Sequence, residues 1–102
     1  MIIYEVNIDV DRSISREYQV WLEKHIRSML EIDGFEKASL FERTEESDPK
    51  TLSITTHYQI SSMEQLEAYF SKHAEKMRAD GIRHFGDLFQ ARRRVLSLQN
   101  EY

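Results

Sequence analysis

The sequence predicts an α+β domain in which helices cover one face of a four-stranded antiparallel sheet. Segments with apolar residues at every second position alternate with segments whose apolar residues recur every three or four positions. These segments follow the order βαββαβ. The 102 residues, of which 40% are hydrophobic, suit one core and a single domain spanning residues 1–102. The chain contains no cysteine, which excludes disulfide frameworks, thiolate metal sites and cysteine nucleophiles.

The first strand shows the clearest alternation. Residues 2–10 place apolar side chains at the even positions and three polar side chains at odd positions: Glu5, Asn7 and Asp9. Because successive side chains of a strand point to opposite faces, we expect one face of this strand to be buried and the other to be polar.

The middle of the chain predicts a helix and then two strands. Residues 18–30 carry an amphipathic stripe, and Gly34 follows where a helix commonly ends. A second strand fits from residue 35 to about residue 45, with a facing that the pattern leaves open. The acidic segment 45–50, which contains one proline, is predicted to form a hairpin loop. Apolar and polar residues then alternate over residues 52–60, which predicts a third strand.

The segment from Ser61 to Gly86 predicts the second helix. Ser61 is followed three residues later by Glu64, the spacing of a capping box. Apolar residues continue at helical spacing as far as Phe85. We expect Gly81 to lie inside this helix at a close contact, and Gly86 to end it.

Residues 89–95 alternate again and complete the βαββαβ order of a ferredoxin-like domain. Right-handed crossovers then place both helices on one face of the sheet, with strand order 4-1-3-2. The opposite face is predicted to be free of helices and polar, with nearly balanced charges. Its predicted residues are Glu5, Asn7, Asp9, Ser53, Thr55, His57, Gln59, Gln90, Arg92 and Arg94.

This helix-free face holds the main candidate ligand-binding residues: Asn7, His57, Arg92, Arg94 and Glu5. A neutral imidazole among hydroxyls and amides can bind a ligand or join a polar interface network. Arg92 and Arg94 can also pair with Glu5 and Asp9 on the neighbouring strand, and we favour this structural pairing over anion binding.

Three residues on the helix stripes are secondary candidates for a pocket beneath the helices: Trp21, His25 and His73. A packing role at the helix–sheet contact is the simpler interpretation for both histidines. We then expect one ring nitrogen of each to be hydrogen-bonded to a carbonyl or a carboxylate.

Several functional classes are not supported by the sequence. Histidines do not occur at metal-ligand spacing, and we predict no metal and no cofactor. The net charge of −4 and the lack of aromatic residues on the polar face of strands one and three argue against nucleic-acid binding. No run of about 18 apolar residues is present, so we predict no membrane association and a cytoplasmic location.

Four segments resemble a small bacterial family, domain of unknown function 4286, which is related to the dimeric α/β barrel proteins. They are the opening MIIYEVN, Trp21-x-x-x-His25-Ile26, Leu66-Glu67-Ala68-Tyr69, and Phe85-Gly86-Asp87-x-Phe89-x-Ala91-x-Arg93. The resemblance implies the ferredoxin-like fold and a homodimer that packs sheet against sheet. It implies no reaction. Relatives often carry proline at the third place of His73-Ala74-Glu75, so we expect this chain's second helix to continue there without a kink.

Two functions follow as expectations. The first is a homodimer that binds a small-molecule ligand or acts as an accessory interaction module. The second is an enzyme resembling the cofactor-free monooxygenases or haem-degrading members of the barrel superfamily. Those members use an asparagine, a histidine and a tryptophan. Asn7 and His73 lie at matching places for the first two, but Trp21 does not lie at a matching place for the third.

Overall fold

The computed structural model describes all 102 residues and contains four strands and three helices. A short 3-10 turn at residues 12–14 follows the first strand. The bounds are β1 Ile2–Asp11, α1 Ser15–Met29, β2 Phe35–Glu42, β3 Thr51–Ile60, α2 Met63–Lys72, α3 Ala74–Phe85 and β4 Phe89–Ser97. None of the helices combines the length and the apolar composition needed to cross a bilayer.

The four strands form one antiparallel sheet in the order β2-β3-β1-β4, with the two longest strands in the middle. In the β1–β3 pair, Tyr4 lies opposite Tyr58 and Glu5 lies opposite His57. Even-numbered residues of both strands pack with the helices, so the odd-numbered ones lie on the helix-free face. The predicted ferredoxin-like α+β fold and its strand order are confirmed.

The core consists of two apolar clusters between the sheet and the helices. One includes Tyr4, Tyr58 and Tyr69, and the other includes Ile8, Tyr18 and Leu22. Val6 and Ile26 are partly buried and pack against both clusters. The junction between the clusters lies over the middle of β1 and β3, where the side chains on the helix-covered face include Val6 and Thr56.

The prediction of one unbroken second helix is wrong, because the helix is interrupted at His73. Residue 73 leaves helical geometry, with φ −129° and ψ −29°. In a continuous helix, position 73 is rotated about 40° from Tyr69 and position 74 about 140° from it, so His73 would face the sheet. The interruption instead buries Ala74 and exposes His73. It shifts the buried stripe by one residue.

The ends of the helices depend on one serine and two glycines. Ser62, rather than the predicted Ser61, caps α2, because its hydroxyl accepts a hydrogen bond from the backbone N–H of Gln65. Gly34 after α1 and Gly86 after α3 have φ values of +90° and +57°, which glycine adopts readily. Gly81 lies inside α3 and is buried, as predicted.

Candidate functional site

The helix-free face contains a network of polar side chains centred on Glu5. Oε1 of Glu5 lies 2.8 Å from Nε2 of His57, and Oε2 accepts hydrogen bonds from Asn7, at 2.8 Å, and from Arg94. Only 4% of Glu5 is exposed, although no helix covers it. Burial by itself raises the pKa of Glu5, but the hydrogen bonds and the positive charge of Arg94 outweigh burial and lower the pKa to about 2. Glu5 is therefore a carboxylate at neutral pH.

A second carboxylate, Asp9, organises the other half of the network. It accepts hydrogen bonds from Arg43 at 2.5 Å, from Arg92 at 3.0 Å and from Ser53 at 2.7 Å. Burial raises its pKa, whereas these hydrogen bonds and the two arginine charges lower it, and the net direction is downward. The predicted cross-strand pairing of Arg92 and Arg94 with carboxylates of β1 is confirmed.

Arg43 was missed by the sequence analysis, although it joins the two halves of the network. It donates to the backbone carbonyl of Ile54, to the Thr55 hydroxyl at 3.0 Å and to Asp9. Thr55 in turn donates to Oδ1 of Asn7 at 2.7 Å. Arg43 lies two residues after Phe41, so the two side chains point to the same face as His57, which Phe41 contacts edge-on. This spacing could have placed Arg43 on the helix-free face, but the sequence pattern does not fix which way β2 faces.

All five main candidates are thus brought onto one face, where Glu5 binds three of the others and Arg92 binds Asp9. Their role as ligand contacts stays a prediction. Because both Glu5 oxygens and both Asp9 oxygens already accept hydrogen bonds, the network resembles a preorganised interface more than an open site for catalysis. Three arginines are balanced by three carboxylates: Arg43, Arg92 and Arg94 against Glu5, Asp9 and Glu46.

The opposite side of the sheet contains a small cavity of about 40 Å³ at the junction of the two core clusters. Most of its wall is apolar or aromatic, and Tyr4, Tyr18 and Tyr58 contribute to it. Burial raises the pKa of Tyr18 and Tyr58 above the ordinary phenol value. These phenols therefore keep their protons at neutral pH.

Trp21 and His25 line this cavity, whereas His73 does not. The rings of Trp21 and His25 stack with centroids 4.6 Å apart, and the indole N–H of Trp21 donates to Asp80 at 3.0 Å. The expected hydrogen bond of a His25 ring nitrogen is absent, so that expectation is wrong. Burial lowers the pKa of His25; the charge of Asp80 opposes this decrease, and the charge of Arg93 adds to it.

The asparagine, histidine and tryptophan considered for an oxygenase do not meet. Asn7 lies on the helix-free face, His73 is exposed at the break between α2 and α3, and Trp21 lies at the cavity. The chain also has no cluster of three or more carboxylate or imidazole groups arranged to hold a metal ion.

Comparison with known proteins identifies a family and a fold. Residues 1–99 match the family described as "Domain of unknown function (DUF4286)". A search of curated proteins finds no significant match. Among solved structures, the chain is similar to SnoaB, a cofactor-independent oxygenase from Streptomyces nogalater, with a TM-score of 0.71 and 11% identity. The alignment covers 98% of this chain and 95% of SnoaB, and at this identity it shows the fold alone.

Proposed function

Starting from the fact that this chain belongs to the DUF4286 family, we propose that it functions as a homodimer, packed through its helix-free face, that binds a small molecule between sheet and helices. The single observation that carries the dimer is the self-contained network around Glu5 and Asp9. A cytoplasmic location stays a prediction.

The network makes burial of this face against a second copy energetically acceptable. Burying an unpaired charge costs several kcal/mol, but here each carboxylate is already paired and hydrogen-bonded within its own subunit. The molecule measures only 18 Å along its shortest axis, with one side of the sheet uncovered. An isologous contact about a two-fold axis would cover the same face on both copies.

Apolar side chains on the same face would supply the favourable contact energy. Phe41 is 49% exposed and packs edge-on against His57. Ile3 and Leu96 lie opposite each other in the β1–β4 pair, next to the positions of Glu5 and Arg94. Apolar area removed from water contributes roughly 25 cal/mol per Å², so these side chains would favour association.

The experiment compares two neighbouring residues of β2. Phe41→Glu introduces a charge on the helix-free face, whereas Leu40→Glu introduces the same charge on the other side, at a residue 51% exposed. Light scattering after size exclusion should give about twice 12.2 kDa for the natural protein and for Leu40→Glu, and a monomer for Phe41→Glu. His57→Ala should weaken the dimer while the monomer stays folded by circular dichroism.

A monomeric natural protein at micromolar concentrations would refute the dimer, and so would equal dissociation by the two glutamate variants. Wholesale unfolding of His57→Ala would contradict the placement of the network at an interface.

Catalysis of the kind named for SnoaB is the second candidate, favoured by the aromatic cavity in the same fold. The structure supports it less than binding, because Asn7 and His73 do not reach this cavity. Oxygen uptake with a quinol substrate, abolished by substitution of a residue at the cavity, would instead favour this second function.

A further inference from the structure

The charged side chains that line the cavity between sheet and helices are all positive. Arg78 of α3 and Arg93 of β4 both line the cavity, and no Asp or Glu does. Neither arginine forms an ion pair with any carboxylate of the chain, in contrast to Arg43, Arg92 and Arg94 on the other face. Arg78 is partly buried and Arg93 is exposed, so the two guanidinium groups without a carboxylate partner leave an unbalanced positive charge beside an otherwise apolar site.

Two buried polar atoms at the same cavity have no hydrogen-bond partner. They are the Thr56 hydroxyl oxygen and Nε of Arg78. Thr56 is only 1% exposed, and it lies on the helix-covered face of β3, opposite Val6 of β1. Buried polar groups are nearly always hydrogen-bonded, so unsatisfied groups at a cavity point to something that occupies it.

The remaining wall suits an aromatic ring. Tyr18, Trp21 and Phe89 surround one end of the cavity, where the ring centroids of Trp21 and Phe89 lie 5.5 and 5.2 Å from that of Tyr18. The guanidinium of Arg78 is oriented from the other side, where it donates to the Tyr4 hydroxyl at 3.1 Å and lies 6.0 Å from the centre of the Phe70 ring.

We propose that this cavity binds an aromatic carboxylate, with its ring among the aromatic side chains and its carboxylate paired with Arg78 and Arg93. The Thr56 hydroxyl donates a hydrogen bond to the carboxylate and so orients the ligand. This inference rests on the proposed small-molecule function, to which it adds the chemical class of the ligand and the residues that select it.

Binding of a ring requires α3 to move away from the sheet. The cavity of about 40 Å³ has room for roughly three water molecules, whereas a benzene-sized ligand needs about 150 Å³. Surface depressions of about 350 and 510 Å³ flank α3. The first shares Trp21, His25 and Met77 with the cavity, and the second shares Arg78, Phe89, Ala91 and Arg93. An outward shift of α3 would join these spaces.

The test uses 2-naphthoate as the probe and 2-naphthalenemethanol as its neutral analogue. Trp21 is the chain's only tryptophan, so its indole N–H gives a single, assigned signal in a ¹H–¹⁵N spectrum at the cavity wall. We expect 2-naphthoate to shift this signal saturably and to bind at least tenfold more tightly than the neutral analogue.

Variants identify the residues responsible. Arg93→Gln should weaken 2-naphthoate binding at least tenfold, since hydrogen bonds to charged groups are the stronger class. Thr56→Val preserves the side-chain shape and should weaken it severalfold. Arg16→Gln, an exposed arginine on α1 outside the cavity, should bind like the natural protein. Thermal unfolding of each variant checks that the fold is retained.

The outcomes separate this inference from the proposed function. Equal binding of the two probes, or equal effects of Arg93→Gln and Arg16→Gln, would overturn the carboxylate class while small-molecule binding stands. No saturable shift with either probe would overturn this inference. The homodimer is judged separately by the Phe41 and Leu40 variants.

Discussion

Replacing Glu5 by glutamine tests the physical basis of the polar network. Glu5→Gln keeps the size of the side chain and removes the charge that Arg94 and His57 contact. The ordinary pKa of 4.5 falls to about 2 in the folded protein, and this difference corresponds to roughly 3 kcal/mol of stability at neutral pH. The Arg94 side chain is 67% exposed, so solvent screens part of the effect, and we expect a loss of about 2 kcal/mol.

The sign of the pH dependence follows from the lowered pKa. The unfolded chain takes up a proton on Glu5 as the pH falls below about 4.5, whereas the folded chain does so only near pH 2. The contribution of Glu5 is therefore fully present above pH 4.5 and is lost as the pH falls toward 2. The difference in stability between the natural protein and Glu5→Gln should shrink over that interval.

Urea unfolding at fixed protein concentration, repeated between pH 7 and pH 2, measures this difference. Glu67→Gln, at an exposed position on α2, serves as the matched control and should differ from the natural protein by less than about 0.5 kcal/mol. A difference for Glu5→Gln that is independent of pH, or no larger than that of Glu67→Gln, would refute the reasoning.

Three further predictions concern the helices. Gly34→Ala should lower the free energy of unfolding by more than about 1 kcal/mol, because residue 34 has a φ of +90° and the new Cβ would lie 2.5 Å from Cβ of Gln65. Gly86→Ala should cost less, because a Cβ at residue 86 would have no atom within 4 Å. Urea unfolding of the two variants compares these costs. Ser62→Ala should cost about 1 kcal/mol through loss of the α2 cap, and an unchanged unfolding midpoint would contradict the assigned cap. The pKa of His25 should lie below 6.5, because burial disfavours the charged form of its ring. Protonation of His25 therefore favours unfolding as the pH falls below 6.5. NMR titration of the ring protons measures this pKa, and a value above 6.5 would contradict the burial of His25.

The facing of the sheet could be predicted because it depends on a local property. Strand side chains alternate with a period of two, so the positions of Glu5, Asn7 and His57 on one face follow from sequence order once one face is buried. The cross-strand partners of Arg92 and Arg94 followed from the same alternation and the strand order.

The break at His73 could not be predicted, because local spacing equally suits a continuous helix. Which residue faces the sheet there depends on how α2 and α3 each pack against strands that are distant in sequence. Arg43 was missed for a similar reason, since a long side chain reaches Asp9 on another strand only in the folded sheet.

The amino-acid pattern alone therefore established the order of the strands, the sheet face that stays free of helices and the charges of β1 and β4 on that face, since each depends on periodicity along a short segment. Tertiary packing decided that the face is a closed network, that the core divides into two clusters, and that Thr56, Arg78 and Arg93 meet at the cavity between sheet and helices. These features depend on contacts among strands and helices far apart in the chain, which no local pattern records.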